Sequence, residues 1–169
     1  MSPAAAYADE PYDVYNYDRW GEAIPSQAGY TAERSISGRD LGAGPMDEPS
    51  DLFCDHEGNF YIADTGNDRI IVADNALEKT VRIYDRFIMP DGSETTLSKP
   101  AGVFVSEERD WLYIADNQNS RALVSDMDGN VVLEVGKPES DVYDQQRTFL
   151  PQKVIADKAG NIYVVLNNI

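Results

Sequence analysis

The chain has 169 residues, 42% of them hydrophobic, with 14 Lys and Arg against 30 Asp and Glu for a net charge of −16. That is long enough for one domain with its own core and too apolar for a disordered chain, while so acidic a surface repels phosphate backbones and anionic headgroups, which argues against nucleic acid and membrane as partners. No apolar run reaches the roughly 20 residues of a membrane-spanning helix, and the single Cys54 permits neither an internal disulfide nor a cysteine metal cluster.

Ser2–Ala8 reads like the end of a secretory signal peptide, with Ala6-Tyr7-Ala8 as a small-x-small cleavage site and without the basic and apolar regions that precede one. Two readings stand: a remnant of an export signal (residues 1–8), which places the protein outside the cytoplasm, or an alanine-rich tip. Residues 1–30 form an extended aromatic and acidic arm. Tyr12, Tyr15, Tyr17 and Trp20, flanked by Asp13 and Asp18, are ligand candidates, since rings stack on sugars and carboxylates accept hydroxyl bonds. The other role for the arm is to lie across sheet edges and shield them. Thr31–Ser37 reads as a further strand.

From Pro49 the chain repeats. Pro49-Ser50-Asp51-Leu52-Phe53-Cys54-Asp55, Pro100-Ala101-Gly102-Val103-Phe104-Val105-Ser106 and Pro151-Gln152-Lys153-Val154-Ile155-Ala156-Asp157 align, their prolines 51 residues apart in both intervals. Each is followed by a turn and a second run: Phe60–Asp64, Trp111–Asp116 and Ile162–Val165. Asp-x-x-Gly-Asn closes the first hairpin in repeats one and three, with Gly58 and Gly160 at the positive-φ position. Repeat two has Glu107-Glu108-Arg109-Asp110 there, with one helical turn expected over Ser106–Asp110. Arg69–Asp74 and Arg121–Asp126 supply third strands, Thr80–Tyr84 and Val131–Val135 fourth ones, and an additional Asp91-Gly92 hairpin precedes Pro100. Four short strands per unit, apolar almost throughout, make a propeller blade buried on both faces. Cys54, in an apolar run, is expected buried and inert.

These residues carry a known pattern. Tyr61-Ile62-Ala63-Asp64-Thr65-Gly66-Asn67-Asp68-Arg69-Ile70, and Tyr113-Ile114-Ala115-Asp116-Asn117-Gln118-Asn119-Ser120-Arg121, resemble the repeat of NHL β-propellers; the third copy departs at Leu166, where Asp is expected. The resemblance covers 46–169 and implies an all-β fold of four-stranded antiparallel blades in an incomplete ring. The propeller domain is 31–169, with blades 49–99 and 100–150 and a half blade 151–169. Closed rings need about four to eight blades. The stop inside a blade points to a fragment of a longer protein; the other way to complete the ring is a homodimer.

Asp64 with Arg69, and Asp116 with Arg121, stand at the ends of a strand-to-strand turn within reach of a charge-assisted hydrogen bond, with Asn67 and Asn119 between them. Recurrence in both blades marks a structural clamp. A ligand would meet the side chains that differ between blades, Thr65 and Asp68 against Asn117 and Ser120. Asp126–Asn130 and Asp55–Asn59 look like pieces of calcium loops, but the twelfth position from Asp126 is Lys137, not Glu, so they read as hairpin turns. His56 is the one histidine, in a predicted turn, so no base-dependent triad is available. No catalytic residue, metal ligand or cofactor is assigned. Two similar enzyme groups are propeller lactonases, which hold a metal through carboxylate and asparagine oxygens, and peptide-amidating lyases, which hold zinc with several histidines. The lone histidine argues against the second, and no break from the repeat marks the carboxylates of the first. The reading is a non-enzymatic binding or scaffolding domain for a protein or carbohydrate ligand outside the cytoplasm; the alternative is a fragment of a metal-dependent lactonase- or lyase-like propeller.

Overall fold

Runs of Val, Ile, Tyr and Phe bounded by Asp, Asn and Gly turns become short antiparallel strands, fourteen among the described residues. The structure, a computed structural model, describes residues 15–17, 19–25 and 34–167. Residues 1–35 and 36–169 are separate compact units. In the first, β1 (Tyr15–Tyr17) pairs with β2 (Ala23–Pro25). Their connection carries Trp20, with the Arg19 guanidinium 4.3 Å from its ring centre. Tyr12 and the signal-like Ser2–Ala8 lie outside the described residues.

The second unit is built from three sheets of the repeat. Sheet one orders β3 (Pro49–Cys54), β4 (Phe60–Asp64), β5 (Arg69–Ala73) and β6 (Thr80–Tyr84) side by side. A separate hairpin of β7 (Arg86–Ile88) and β8 (Glu94–Thr96) follows, turning at Asp91-Gly92. Sheet two comprises β9 (Pro100–Ser106), β10 (Trp111–Asp116), β11 (Arg121–Asp126) and β12 (Val131–Val135). Sheet three has two strands, β13 (Pro151–Ala156) and β14 (Ile162–Leu166). Contacts between sheets concentrate on the first strands β3, β9 and β13, as in blades fanning from an axis. The fold is propeller-like and all-β, and the ring is not closed.

The hairpin signature has a direct physical basis. In Asp55–Asn59, Asp126–Asn130 and Asp157–Asn161 the aspartate takes the asparagine N–H on one oxygen (2.8 Å in each) and its amide group on the other (3.0, 2.8 and 2.8 Å). The intervening glycine sits at φ +86, +90 or +91, where a side chain is strained. The turns thus close on themselves and fix the register of each hairpin.

Alternation along the strands gives each sheet a rear face, toward the preceding sheet, and a forward face, toward the next. Tyr61, Ala63, Ile70 and Val72 on the forward face of sheet one bury against Val103, Val105, Leu112, Ile114 and Leu123 on the rear of sheet two, with Phe87 and Leu97 wedged between. Tyr113, Ala115, Ala122 and Val124 on the forward face of sheet two bury against Val154 of sheet three. Fully burying each large side chain contributes about 1.5–3 kcal/mol, so these two interfaces hold the unit together.

Four expectations change. The rear face of sheet one is covered only in part: Ile71 and Ala73 are fully buried there, while Leu52 is exposed. Cys54 is exposed, because it points to the rear of sheet one, where no sheet lies. Arg34–Ser37, within the expected strand 31–37, is irregular: the Ser37 N–H and hydroxyl both donate to Asp40, bending the chain into a turn. Over Ser106–Asp110 there is a hydrogen-bonded turn (Arg109 N–H to Ser106 O, 3.3 Å) rather than a helix. No helix is long and apolar enough to cross a membrane among the described residues.

Candidate functional site

The β4–β5 and β10–β11 turns lie on one rim. Asp64 is fully buried; one carboxylate oxygen accepts from Arg69 Nε (2.7 Å) and Asn67 Nδ2 (2.9 Å), the other from Asp47 N–H (2.7 Å). Asp116 repeats this with Arg121 Nε (2.7 Å), Asn119 Nδ2 (2.8 Å) and Ser98 N–H (2.7 Å). Arg121 also reaches Glu134 at 2.9 Å. Both carboxylates are therefore saturated, each tying its turn to the segment that leads into its own blade. A buried charge is tolerable only with such a full set of partners.

The four positions read as ligand-facing are mostly engaged elsewhere. Thr65 donates its hydroxyl to Pro100 O (2.7 Å), and Asn117 donates its amide to Pro151 O (3.0 Å). Different side chains thus make the same staple, from one blade to the opening proline of the next. Asp68, at φ +55, accepts from Lys99 N–H at 2.7 Å. Ser120 shares that φ of +55. The aromatic candidates belong to the other unit: Trp20 is exposed, Tyr15 and Tyr17 lie on β1, and Tyr12 is outside the described residues.

Two features escaped the sequence reading. The first is on the first strands, where Asp51, Gly102 and Lys153 occupy one repeat position. Lys153 Nζ reaches Asp51 of sheet one and Val103 O (3.1 Å), spanning sheet two, while Asp51 also accepts Val103 N–H at 2.8 Å. Gly102 leaves the room: a Cβ there would lie 2.5 Å from Gln152 O and 2.9 Å from Lys153 Cα. The signal was available as three register-equivalent residues, acid, glycine and base.

The second is a notch of about 150 Å³ at the opposite rim, between the first hairpins of sheets one and two, lined by Asp55, His56, Glu57, Glu107, Asp110 and Tyr61 among others. His56 donates its backbone N–H to Glu107 (2.7 Å), and its Nδ1 stands 3.3 Å from the same carboxylate. Burial, and then the Asp55 carboxylate, push the Tyr61 hydroxyl above its ordinary range, so it stays protonated. The notch is a concave, acid-lined surface suited to a cationic or hydrogen-bond-donating group. Among the described residues no group of three or more His, Cys, Asp or Glu side chains is placed to hold a metal ion.

No sequence-family profile matches the chain. It is 27% identical over 97 residues to the probable peptidyl-alpha-hydroxyglycine alpha-amidating lyase pgal-1 of Caenorhabditis elegans, a match covering 57% of this chain and 27% of that one. A protein from Lactobacillus plantarum superposes with a TM-score of 0.51 at 16% identity, over 73% of this chain and 36% of the other. The hydrazine synthase of Kuenenia stuttgartiensis does so with a TM-score of 0.50 at 14% identity, over 82% and 33%. The structural likenesses concern the fold alone, and the chain spans about a quarter to a third of the length of these proteins.

Proposed function

We propose that this chain is an NHL-type propeller segment acting as a non-enzymatic binding or scaffolding domain for a protein or carbohydrate ligand outside the cytoplasm. The observation that carries this reading is the employment of the repeat's polar signature. Asp64, Asn67 and Arg69 and their counterparts in sheet two are taken up in tying each turn to the segment that leads into its own blade, and Thr65 and Asn117 in joining one blade to the next. Acid–base chemistry needs groups with free lone pairs or transferable protons facing substrate, and the signature residues have none to spare. What faces solvent is the acid-lined notch at Asp55, His56 and Glu107. In a chain of net charge −16, that surface favours a protein ligand presenting Lys or Arg over a neutral sugar. The location outside the cytoplasm rests on Ala6-Tyr7-Ala8 and is tested by fractionating cells that make the protein.

The test is binding of the chain to basic-peptide and glycan arrays, repeated with Glu107→Gln. The expected result is capture of Lys- or Arg-bearing peptides that weakens with salt and with the substitution. Copurifying metal together with turnover of a lactone or of a peptidyl-hydroxyglycine would overturn the reading.

An amidating-lyase role for a whole propeller is the second reading, favoured by the likeness to the nematode lyase over 97 residues. The residues in hand do not fit a zinc centre of several histidines: His56 is the only one, and its side chain is 68% exposed and paired with Glu107. No reaction step is therefore drawn through a metal.

A further inference from the structure

The first hairpins of sheets one and two, which flank the notch, differ in length by one residue. Hairpin two has six residues between its paired strands, Ser106–Trp111, against five in hairpin one, Asp55–Asn59. Asp110 (φ +53) takes the place of Gly58 (φ +86), so the additional residue is Arg109. Its guanidinium leans onto hairpin three: Nη2 donates to Ala159 O at 3.3 Å, Cζ stands 5.4 Å from the Trp111 ring centre, and Gly160 leaves the room it fills. Its charge is felt at Tyr113, whose hydroxyl burial raises and Arg109 draws back. Between sheets two and three, the rim cleft beside the repeat's tyrosine thus holds a guanidinium.

Between sheets one and two the same cleft is the notch of about 150 Å³, with Tyr61 at the Tyr113 position. Asp55, Glu57, Glu107 and Asp110 line it, and no Lys or Arg does so among the described residues. Burial, Asp55, Tyr84 and Glu57 all raise the Tyr61 hydroxyl. Glu107 spends one oxygen on His56 and keeps the other open. Among the described residues the Asp110 carboxylate has no hydrogen-bond or ionic partner. We propose that the notch is a subsite for one arginine side chain of a peptide or protein ligand, seated where Arg109 sits at the next junction. This deepens the basic-ligand reading above and rests on it. A guanidinium meets both open carboxylates at once, because its donors fan from a rigid plane, and its weakly hydrated faces suit Val105, Met127 and the Tyr61 ring. An ammonium is a compact, strongly hydrated charge and gains less there.

The test is calorimetric titration of the full chain with Gly/Ser peptides carrying one central Arg, Lys or citrulline, from about 10 μM to about 5 mM. The Arg peptide should bind at least about 10-fold tighter than the Lys and citrulline peptides, the weight of one charge-assisted hydrogen bond. Glu107→Gln and Asp110→Asn should each weaken it about 10-fold. Glu139→Gln, which removes the same charge from a loop outside the notch, should leave it unchanged. Thermal unfolding of each variant shows that it folds, and the citrulline comparison needs no variant. Equal binding of the Arg and Lys peptides, Arg binding indifferent to Glu107 and Asp110, or equal loss with Glu139→Gln overturns the arginine subsite while the basic-ligand reading stands. Failure of both basic peptides to bind overturns both.

Discussion

Replacing Asp116 by Ala removes the acceptor for Arg121, Asn119 and the Ser98 N–H at once. The cost follows from burial. Asp116 is fully buried and the Arg121 side chain is 11% exposed, so the substitution leaves a guanidinium without its main counter-charge in a low-dielectric setting. Breaking such a pair from one side destabilises by about 3–5 kcal/mol. Glu134, still 2.9 Å from Arg121, offsets part of this, so about 3 kcal/mol is expected, a large share of the roughly 5–15 kcal/mol of an ordinary domain. Urea denaturation measures it, as a lower midpoint at unchanged slope. The double substitution Asp116→Leu with Arg121→Met removes both charges and should regain more than half of the loss. A single-variant loss below about 1 kcal/mol, or a double variant no more stable than the single, would refute the buried clamp as the source of stability.

Gly102→Ala places a methyl against backbone atoms of Gln152 and Lys153. It should wedge sheets two and three apart at a cost of about 1–3 kcal/mol, read from the thermal midpoint. Ser125 is fully buried and its hydroxyl finds no partner among the described residues; the register-equivalent residue in sheet one is Ala73. Ser125→Ala should therefore raise stability by about 1 kcal/mol in the same assay, and a loss would show that the hydroxyl is bonded. The Asp157 carboxyl is held below its usual 3.8 by the side-chain and backbone bonds from Asn161. A depressed carboxylate stabilises above its unfolded pKa and ceases to as the pH falls through the folded one. Calorimetry should accordingly find a flat midpoint above about pH 5, a fall below about pH 4, and a shallower fall in Asp157→Asn.

Much of the fold was legible because the repeat is a local code. Asp55, Gly58 and Asn59 close their hairpin using only each other, and the runs on either side alternate strongly enough to be seen as strands. The Asp64–Arg69 and Asp116–Arg121 bonds were legible for the same reason, since their partners stand five residues apart across one turn. The bonds that Thr65 and Asn117 make were not legible, because their acceptors, Pro100 O and Pro151 O, lie 35 and 34 residues away on the next blade. Cys54 was misread because an apolar run reports that a face exists, while burial depends on whether another sheet covers it.

The sequence by itself determined the strands, their turns, their grouping into units of four and the polar bonds inside each turn, all set by interactions spanning a few residues. Only the tertiary structure decided which faces are covered, that Lys153 reaches Asp51 across Gly102, and that His56 meets Glu107 at the rim. Those contacts join residues about 51 or 102 positions apart, and a one-dimensional pattern carries no record of the angle at which one sheet packs on the next.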